Sequence, residues 1–328
     1  RGISATARTG ARCVRGSADA PAMTDDAARY RAAIAAAFPA LAMQSIRFLA
    51  AGWDSAAWEV NGGLIFRFPK RAEVATWLRY EIALLPLLSP MLPVPLPHFT
   101  YVAEPSTAFP YPFVGYRKLP GVPLTDAPIA RIEPERLVSQ IGAFLTALHR
   151  FPVTHAVACG VPNASPEAWR AQYATMLTEL RTLFPRMTPA ERDRTERLFA
   201  AFLENPLNAQ CAPVLLHRDL GGDHLLLDTE TGDLAGVIDW GDLSIGDPAQ
   251  DFCGLPTAWL PLLLAHYGGA VDATFAERVA FYRALGPYHT LLFGLRTGSE
   301  PFIARGLNEQ RAMSNERAGT QPHARLVP

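Results

Sequence analysis

Apolar positions divide this chain into two stretches. Before about residue 120 they form short runs broken by glycine and proline, and beyond it they recur mostly at helical spacing. Thr24 is placed to cap a helix whose first turn holds Asp25 and Asp26, acids that suit the positive end of the helix dipole. The alanine-rich run reaches Phe38, and Pro39 stops it. Runs at 45–49 and 57–60 predict strands. Asn61-Gly62-Gly63 predicts the turn of a hairpin that returns over 64–68. Leu78, Ile82 and Leu85 predict a helix over 74–85. The prolines between Pro86 and Pro112 predict extended connections around one or two short strands, such as 98–102. A strand is expected over 113–119, and Pro120-Gly121 breaks it at the expected domain boundary.

Beyond that break Pro134 fits a first helical turn, and Leu137, Val138, Ile141, Leu145 and Leu148 form one apolar stripe. Ser165-Pro166-Glu167 opens another helix, and Thr188-Pro189-Ala190-Glu191 reads as a capping box with proline at its first position. A β-rich insert, 213–240, separates these helices from the C-terminal ones. The tail from about Met313 is polar and expected to be loose. The predicted class is α+β, with a β-rich lobe over 23–120 and a larger helical lobe over 121–328. Residues 1–22 hold four arginines and one acid without an apolar stretch. They are not a secretory signal; a transit peptide is compatible, and a disordered leader before Met23 is the expectation.

Composition removes several functions. Apolar residues make up 49% and charged residues 19% of 328, enough to build a core. Lys+Arg of 30 against Asp+Glu of 31 gives a net charge of -1, so no basic face for nucleic acid is expected. No run approaches the ~18 apolar residues that span a membrane. Cys13, Cys159, Cys211 and Cys253 lie far apart, so neither a disulfide framework nor a zinc site is expected, and a reducing, cytoplasmic setting follows. Without a coiled-coil or unmatched apolar stripe, a monomer is the default.

The segment richest in chemistry is Leu216-His217-Arg218-Asp219-Leu220-Gly221-Gly222-Asp223-His224-Leu225, followed after a turn by Val237-Ile238-Asp239-Trp240-Gly241-Asp242. Apolar runs at 214–216 and 225–227 fix a polar loop that presents Asp219 and His224, and a third run delivers Asp239 beside them. Phosphoryl transfer asks for such a set: a carboxylate at the acceptor hydroxyl, and ligands for a cation on the phosphates. A lone aspartate in a loop is usually a turn or cap; the spacing of all three is what points to chemistry.

With these residues in view, the chain resembles the aminoglycoside phosphotransferase family, which has a bilobal protein-kinase-like fold. It is most similar to the aminoglycoside 2''-phosphotransferases, with the macrolide 2'-phosphotransferases next. The resemblance extends over roughly 52–252. It takes in Gly52-Trp53-Asp54-Ser55, Phe66-Arg67-Phe68-Pro69, the run from Phe113 through Pro120-Gly121 to Leu124, and the segments above. It implies that Asp219 is the catalytic carboxylate and that His217 buttresses its loop. His224 and Asp239 would ligate Mg²⁺ on the phosphates of ATP or GTP. Glu81 would partner the phosphate-binding cation, the loop containing Gly52 and Ser55 would cover the triphosphate, and Arg117, Lys118 and Leu119 would form the hinge at the purine. Asp242 is open between support of the metal site and capping of a turn. Asp247 and Asp251 are expected to be structural.

Two departures stand out. Arg67 takes the place of the family's usual lysine, keeping the charge while changing its geometry. His224 stands where most relatives carry asparagine. Imidazole is a softer ligand than Mg²⁺ usually takes, so Mn²⁺ should serve as well. The absence of a full glycine-rich loop, of an Ala-Pro-Glu element and of a Walker A sequence argues against an ordinary protein kinase and a P-loop NTPase.

The acceptor is less legible. A small hydroxylated molecule is implied, and an aminoglycoside is the reading by analogy. Asp247, Asp251, Asp272, Glu277 and Glu300 are candidate acids for a cationic acceptor. Trp259, Tyr267, Phe281, Tyr282, Tyr288 and Phe293 are candidates for an apolar one, or for core. Tyr116, just before the hinge, is placed to narrow an adenine slot in favour of guanine. A metabolic kinase acting on a sugar or amino alcohol and a catalytically silent nucleotide binder remain open alternatives.

Overall fold

The computed structural model describes residues 20–52, 54–127 and 133–318. Most of the expected leader, Trp53 and the end of the expected loose tail lie outside the described residues. Helix α1 (Ala20–Ala37) begins before Thr24, which is therefore an interior helical position and not the expected cap. Strands β1 (Ile46–Ala51), β2 (Ser55–Val60) and β3 (Leu64–Pro69) follow, then α2 (Ala72–Leu88), β4 (Phe99–Ala103) and β5 (Phe113–Arg117). The strands form one five-stranded antiparallel sheet in the order β1-β2-β3-β5-β4. Asn61 and Gly62 adopt positive φ angles of 52° and 67° at the β2–β3 turn, a backbone these two residues tolerate best.

Alternate residues of a strand face opposite sides of a sheet. Phe66 and Phe68 of β3 enter an aromatic core with Trp58, Phe109 and Phe113, closed over by Ile34 of α1. Phe68 and Phe113 stack with centroids 4.5 Å apart. Ile65 and Arg67 are thereby turned to the other face. Helix α2 continues through Pro86 to Leu88, where the sequence predicted extended chain. Proline forfeits one N–H bond near the helix end, and burial of Leu84, Leu85 and Leu88 in the second core offsets that loss.

The C-terminal region starts with the short β6 (Val122–Pro123) and four helices: α3 (Pro134–His149), α4 (Val153–Ala158), α5 (Pro166–Arg181) and α6 (Pro189–Glu204). The predicted stripe of α3 is buried throughout. Thr188 and Glu191 form the predicted capping box, with Glu191 N–H donating to Thr188 at 3.3 Å and Thr188 N–H to Glu191 at 2.7 Å. Strands β7 (Val214–Leu216), β8 (Leu225–Leu227), β9 (Leu234–Val237) and β10 (Ser244–Gly246) make two small sheets, β10-β7 and β6-β8-β9. Helices α7 (Leu260–His266), α8 (Phe275–Ala284), α9 (Gly286–Thr297) and α10 (Glu300–Ala318) complete the described chain. Because α10 runs to Ala318, the tail is helical past Met313, where it was expected to be loose. A β-sheet N-terminal region and a helical C-terminal region match the expected kinase-like, α+β class.

Candidate active site

A cavity of about 1020 Å³ lies between the inner face of the five-stranded sheet and the loops of the small C-terminal sheets. From the sheet it receives Ile65 and Arg67, from α2 Glu81, and from the segment after β5 Lys118 and Leu119. Asp219, His224 and Asp239 line its other side. The register explains the choice: Arg67 pairs with Ala57 of β2, and both share the face opposite Phe66 and Phe68.

The loop 217–224 leaves β7 and re-enters at β8. Its first residue, His217, is fully buried behind the cavity and does not line it. The His217 Nε2–H donates to the Ile238 carbonyl at 3.0 Å, and Nδ1 accepts the Asp219 N–H at 3.3 Å. One ring thus ties the loop to the residue before Asp239. Burial holds this imidazole down at about 4, so it is neutral and both bonds persist. Two non-glycine residues in this region carry positive φ: Arg218 at 70°, just before Asp219, and Asp239 at 63°. Such backbone is strained and persists only where surroundings fix it. Buried Asp251 fixes the first, accepting the N–H of His217 at 3.0 Å and of Arg218 at 2.6 Å. Gly254 presses on the same loop from behind; a Cβ there would stand 2.3 Å from the Leu220 carbonyl oxygen.

His224 is at the centre of the acids. Its Nδ1–H donates to the Asp219 carbonyl at 2.6 Å and lies 3.5 Å from the Asp219 carboxylate. That leaves Nε2 facing Asp239 at 3.6 Å and Asp223 at 3.8 Å. Burial lowers the imidazole, but Asp239, Asp219 and Asp223 overcome it and hold it at about 9. Withdrawal from water raises the Asp239 carboxyl, and Arg67 and His224 more than reverse this, leaving it below its ordinary value. Asp242 sits nearby, pushed up to about 8 by burial and then by Asp219. Among the described residues no group of three or more His, Cys, Asp or Glu forms a closed metal cage.

Arg67 is the cation of the opposite wall. Its Nη1 donates to Glu81 Oε2 at 2.7 Å, and Nη2 reaches Glu81 Oε1 and Asp239 Oδ1, both at 3.3 Å. Burial opposes the charge, and Glu81 and Asp239 outweigh it, so the guanidinium stays protonated. Burial raises the Glu81 carboxyl, and Arg67 works against that rise. Lys70 and Arg71 are occupied elsewhere: Lys70 Nζ donates to the Gly52 carbonyl and Arg71 pairs with Asp54. These contacts clamp the loop holding Gly52 and Ser55, which the Gly52 N–H closes onto the Ser55 carbonyl at 3.1 Å. Tyr116 is buried at the back of the cavity and its hydroxyl is pushed up to about 12 by burial. The Lys118 N–H donates to Gly63 at 2.9 Å. Leu119 lines the cavity, while the Arg117 side chain is exposed outside it.

The acids named from sequence as acceptor candidates do not line the cavity. Asp247 and Asp251 are fully buried. Asp247 and Asp272 hold Arg278, each at 2.7 Å, Glu300 pairs with Arg186 at the surface, and Glu277 is exposed. The aromatics Trp259, Tyr267, Phe281, Tyr282 and Tyr288 belong to the core, and only Phe293 of the six reaches the cavity. Besides Asp219, Asp239 and Glu81, the acids that line it are Asp54, Asp126, Asp223 and Asp242. His289, Leu292, Phe293 and Arg296 supply a wall from α9 that sequence reasoning missed apart from Phe293. Their spacing is an ordinary helical stripe, indistinguishable from core without coordinates.

A family model described as the phosphotransferase enzyme family matches residues 45–290. Viomycin phosphotransferase from Streptomyces vinaceus is 31% identical over 206 residues, 61% of this chain and 70% of the relative. The solved GDP and kanamycin complex of the aminoglycoside phosphotransferase APH(2'')-IIIa is 29% identical, with a TM-score of 0.78, covering 88% of this chain and 99% of that one. A macrolide 2'-phosphotransferase from Brachybacterium faecium, 23% identical with a TM-score of 0.68 over 85% of this chain and 96% of its own, shares the fold.

Proposed function

The chain belongs to the phosphotransferase enzyme family, and on that footing we propose that it moves the γ-phosphoryl group of ATP or GTP to a hydroxyl of an aminoglycoside-like antibiotic. One observation carries this reading: Asp219, His224 and Asp239 converge at one end of a cavity whose opposite wall presents the Arg67–Glu81 pair. The acceptor oxygen forms its bond to the γ-phosphorus as the bond to the β–γ bridging oxygen breaks. The hydroxyl proton passes to the Asp219 carboxylate. Arg67, oriented by Glu81, turns its remaining N–H groups to the phosphate oxygens. The clamped loop at Gly52 and Ser55 closes over the triphosphate. The segment 117–119 at the end of β5 would offer its backbone to the purine edge.

His224 Nε2, on giving up its proton, and the Asp239 carboxylate would hold Mg²⁺. The donor set fits: two protein ligands, completed by phosphate oxygens and water, suit a cation that seldom takes an all-protein cage. When bound, the ion supplies charge neutralisation on the phosphates. Two features support a cationic acceptor: the carboxylates of Asp126 and Asp223 along the cavity, and the kanamycin bound by the solved relative.

The test is an acceptor screen of aminoglycosides, cyclic peptide antibiotics, macrolides and simple sugars with ATP and with GTP, read as nucleoside diphosphate release. Transfer to an aminoglycoside, lost by about 10²-fold or more in Asp219→Ala while nucleotide binding survives, is the expected result. Wild-type turnover in Asp219→Ala would refute the assignment, and nucleotide binding without transfer to any acceptor would favour a silent binder.

A further inference from the structure

Helix α2 brings two unlike side chains to the cavity from one face. Glu81 holds Arg67, and Trp77 lies about one turn before Glu81 on the same helix. Residues so spaced are neighbours on a helix surface, and both line the cavity. Glu81 is 1% exposed and committed to its ion pair. The indole of Trp77 is half-buried and presents carbon surface to the cavity itself.

What lies beneath the helix tells which part of the cavity that surface covers. Gly241 is under Glu81: a Cβ there would stand 3.7 Å from Glu81 Oε1 and 3.6 Å from Arg67 Nη2. Asp242 comes next in the chain. Burial raises its carboxyl, and Asp219 and Asp54 add to the rise, so the catalytic loop and the loop over the triphosphate both come close to it. The start of α2 is drawn to that same loop, because Arg71, the residue before the helix, pairs with Asp54. The path from Glu81 back along α2 therefore leads from the phosphate cation toward Asp242 and Asp54, and Trp77 stands on it. From the C-terminal region, Leu292, Phe293 and Arg296 of α9 line the same cavity. Two bonds of 2.9 Å commit the Arg296 guanidinium to Glu179, so its charge is neutralised there.

Carbon surface from α2 and from α9 suits an acceptor with an apolar ring face. The C–H face of a sugar packs on an indole, and its hydroxyls and amines stay at the rim, within the field of Asp219, Asp126 and Asp223.

We infer that Trp77 is a specificity-determining residue whose indole covers the apolar face of a sugar-ring acceptor from the α2 side of the cavity. The inference rests on the phosphotransferase reading above and names the side chain of α2 that reads the acceptor. Because Trp77 and Glu81 share one turn of helix, a ring held by the indole also steadies Glu81 and, through it, Arg67. A water molecule in the ring's place does not.

The test uses the full chain with Trp77→Phe, Trp77→Leu and Trp77→Ala, kanamycin as the sugar-ring probe, and GDP or ADP with Mg²⁺. The Trp77 indole N–H resonance is identified among those of the six tryptophans by its loss in Trp77→Phe, and kanamycin is titrated against it. Steady-state transfer to kanamycin and thermal melting are measured alongside. The wild-type resonance should shift saturably. KM for kanamycin should rise about tenfold in Trp77→Ala, by less in Trp77→Leu, and stay within about threefold in Trp77→Phe. KM for nucleotide should stay within about twofold in all three. Equal KM for kanamycin in all the variants and wild type, or a resonance unmoved by saturating kanamycin, would overturn the inference. So would a parallel rise in both KM values, which is what a merely loosened α2 produces through Glu81. Should Trp77→Ala not fold, Trp77→Leu against Trp77→Phe makes the same comparison. The resonance also separates this inference from the function reading. A shift without transfer upholds the contact and fails the kinase reading on that acceptor, transfer without a shift does the reverse, and neither removes both.

Discussion

Arg67 Nη2 stands 3.3 Å from Asp239 Oδ1, a contact between residues 172 positions apart that joins the sheet wall of the cavity to its loop wall. The same guanidinium forks onto Glu81, which is 1% exposed. A lysine in this position would offer one point charge in place of the fork. Arg67→Lys should therefore retain turnover within about tenfold, whereas Arg67→Met should lose on the order of 10²-fold in kcat/KM for nucleotide. Arg67→Met also strands a buried carboxylate, at a cost of about 3–5 kcal/mol in urea unfolding. Adding Glu81→Leu to Arg67→Met should recover stability and leave activity lost. A double variant no more stable than the single one would show that the pair is not what Glu81 depends on.

Tyr116 is opposite Ile65 in the β3–β5 register and is buried at the back of the cavity, which Leu119 also lines. A ring there would displace a purine outward along the proposed hinge. Guanine would then offer two donors and a carbonyl to the backbone, where adenine would offer an amino donor and the N1 acceptor. Tyr116→Ala should move the GTP-to-ATP ratio of kcat/KM toward ATP by about tenfold, or about 1.4 kcal/mol. Steady-state kinetics with both nucleotides decide it: equal ratios in the two proteins would remove the steric argument.

The two predictions draw on parts of the molecule that differ in how legible they were. The Asn61-Gly62 turn, the Thr188–Glu191 box and the spacing of Asp219, His224 and Asp239 are local: each is fixed by backbone chemistry within a few residues or by one small β-unit. Resemblance to a known family supplied Glu81 as the partner of Arg67, a pairing that spacing alone does not give. Composition could not say which acids face the cavity. Asp247 and Asp272 are drawn away by Arg278, and Asp251 by His149 from 102 residues upstream, so their fate depends on tertiary packing. The extension of α2 through Pro86 was hidden for the same reason, since leucine burial overrode the local signal.

His217 makes stability depend on pH. Its imidazole is held at about 4 in the fold by burial, against 6.5 for the free side chain. Between these values the unfolded chain binds the extra proton, so the contribution of His217 is fully present above about 6.5 and is lost as pH falls toward 4. The size is about 3 kcal/mol. Urea unfolding of wild type and His217→Gln from pH 4 to 7 should show a steeper rise of stability with pH in the wild type. Parallel curves would mean that His217 is not the group responsible.

The last prediction concerns the cation that His224 and Asp239 are proposed to hold. Because His224 Nδ1–H is committed to the Asp219 carbonyl at 2.6 Å, Nε2 is the nitrogen left for a metal, and it already faces Asp239 at 3.6 Å. Chelation with EDTA should abolish turnover, and either Mg²⁺ or Mn²⁺ should restore it, since imidazole is a better ligand for Mn²⁺ than for Mg²⁺. His224→Asn replaces that nitrogen with an amide oxygen, a donor that suits Mg²⁺. The variant should therefore keep Mg²⁺-supported turnover while losing Mn²⁺ preference by about tenfold, about 1.4 kcal/mol. Asp239→Asn removes the charge itself and should lose about 10²-fold or more with both ions. Failure of Mn²⁺ to support the wild type where Mg²⁺ does would break the proposed link between the imidazole and the metal, because His224 Nε2 is the proposed ligand that would distinguish the two ions.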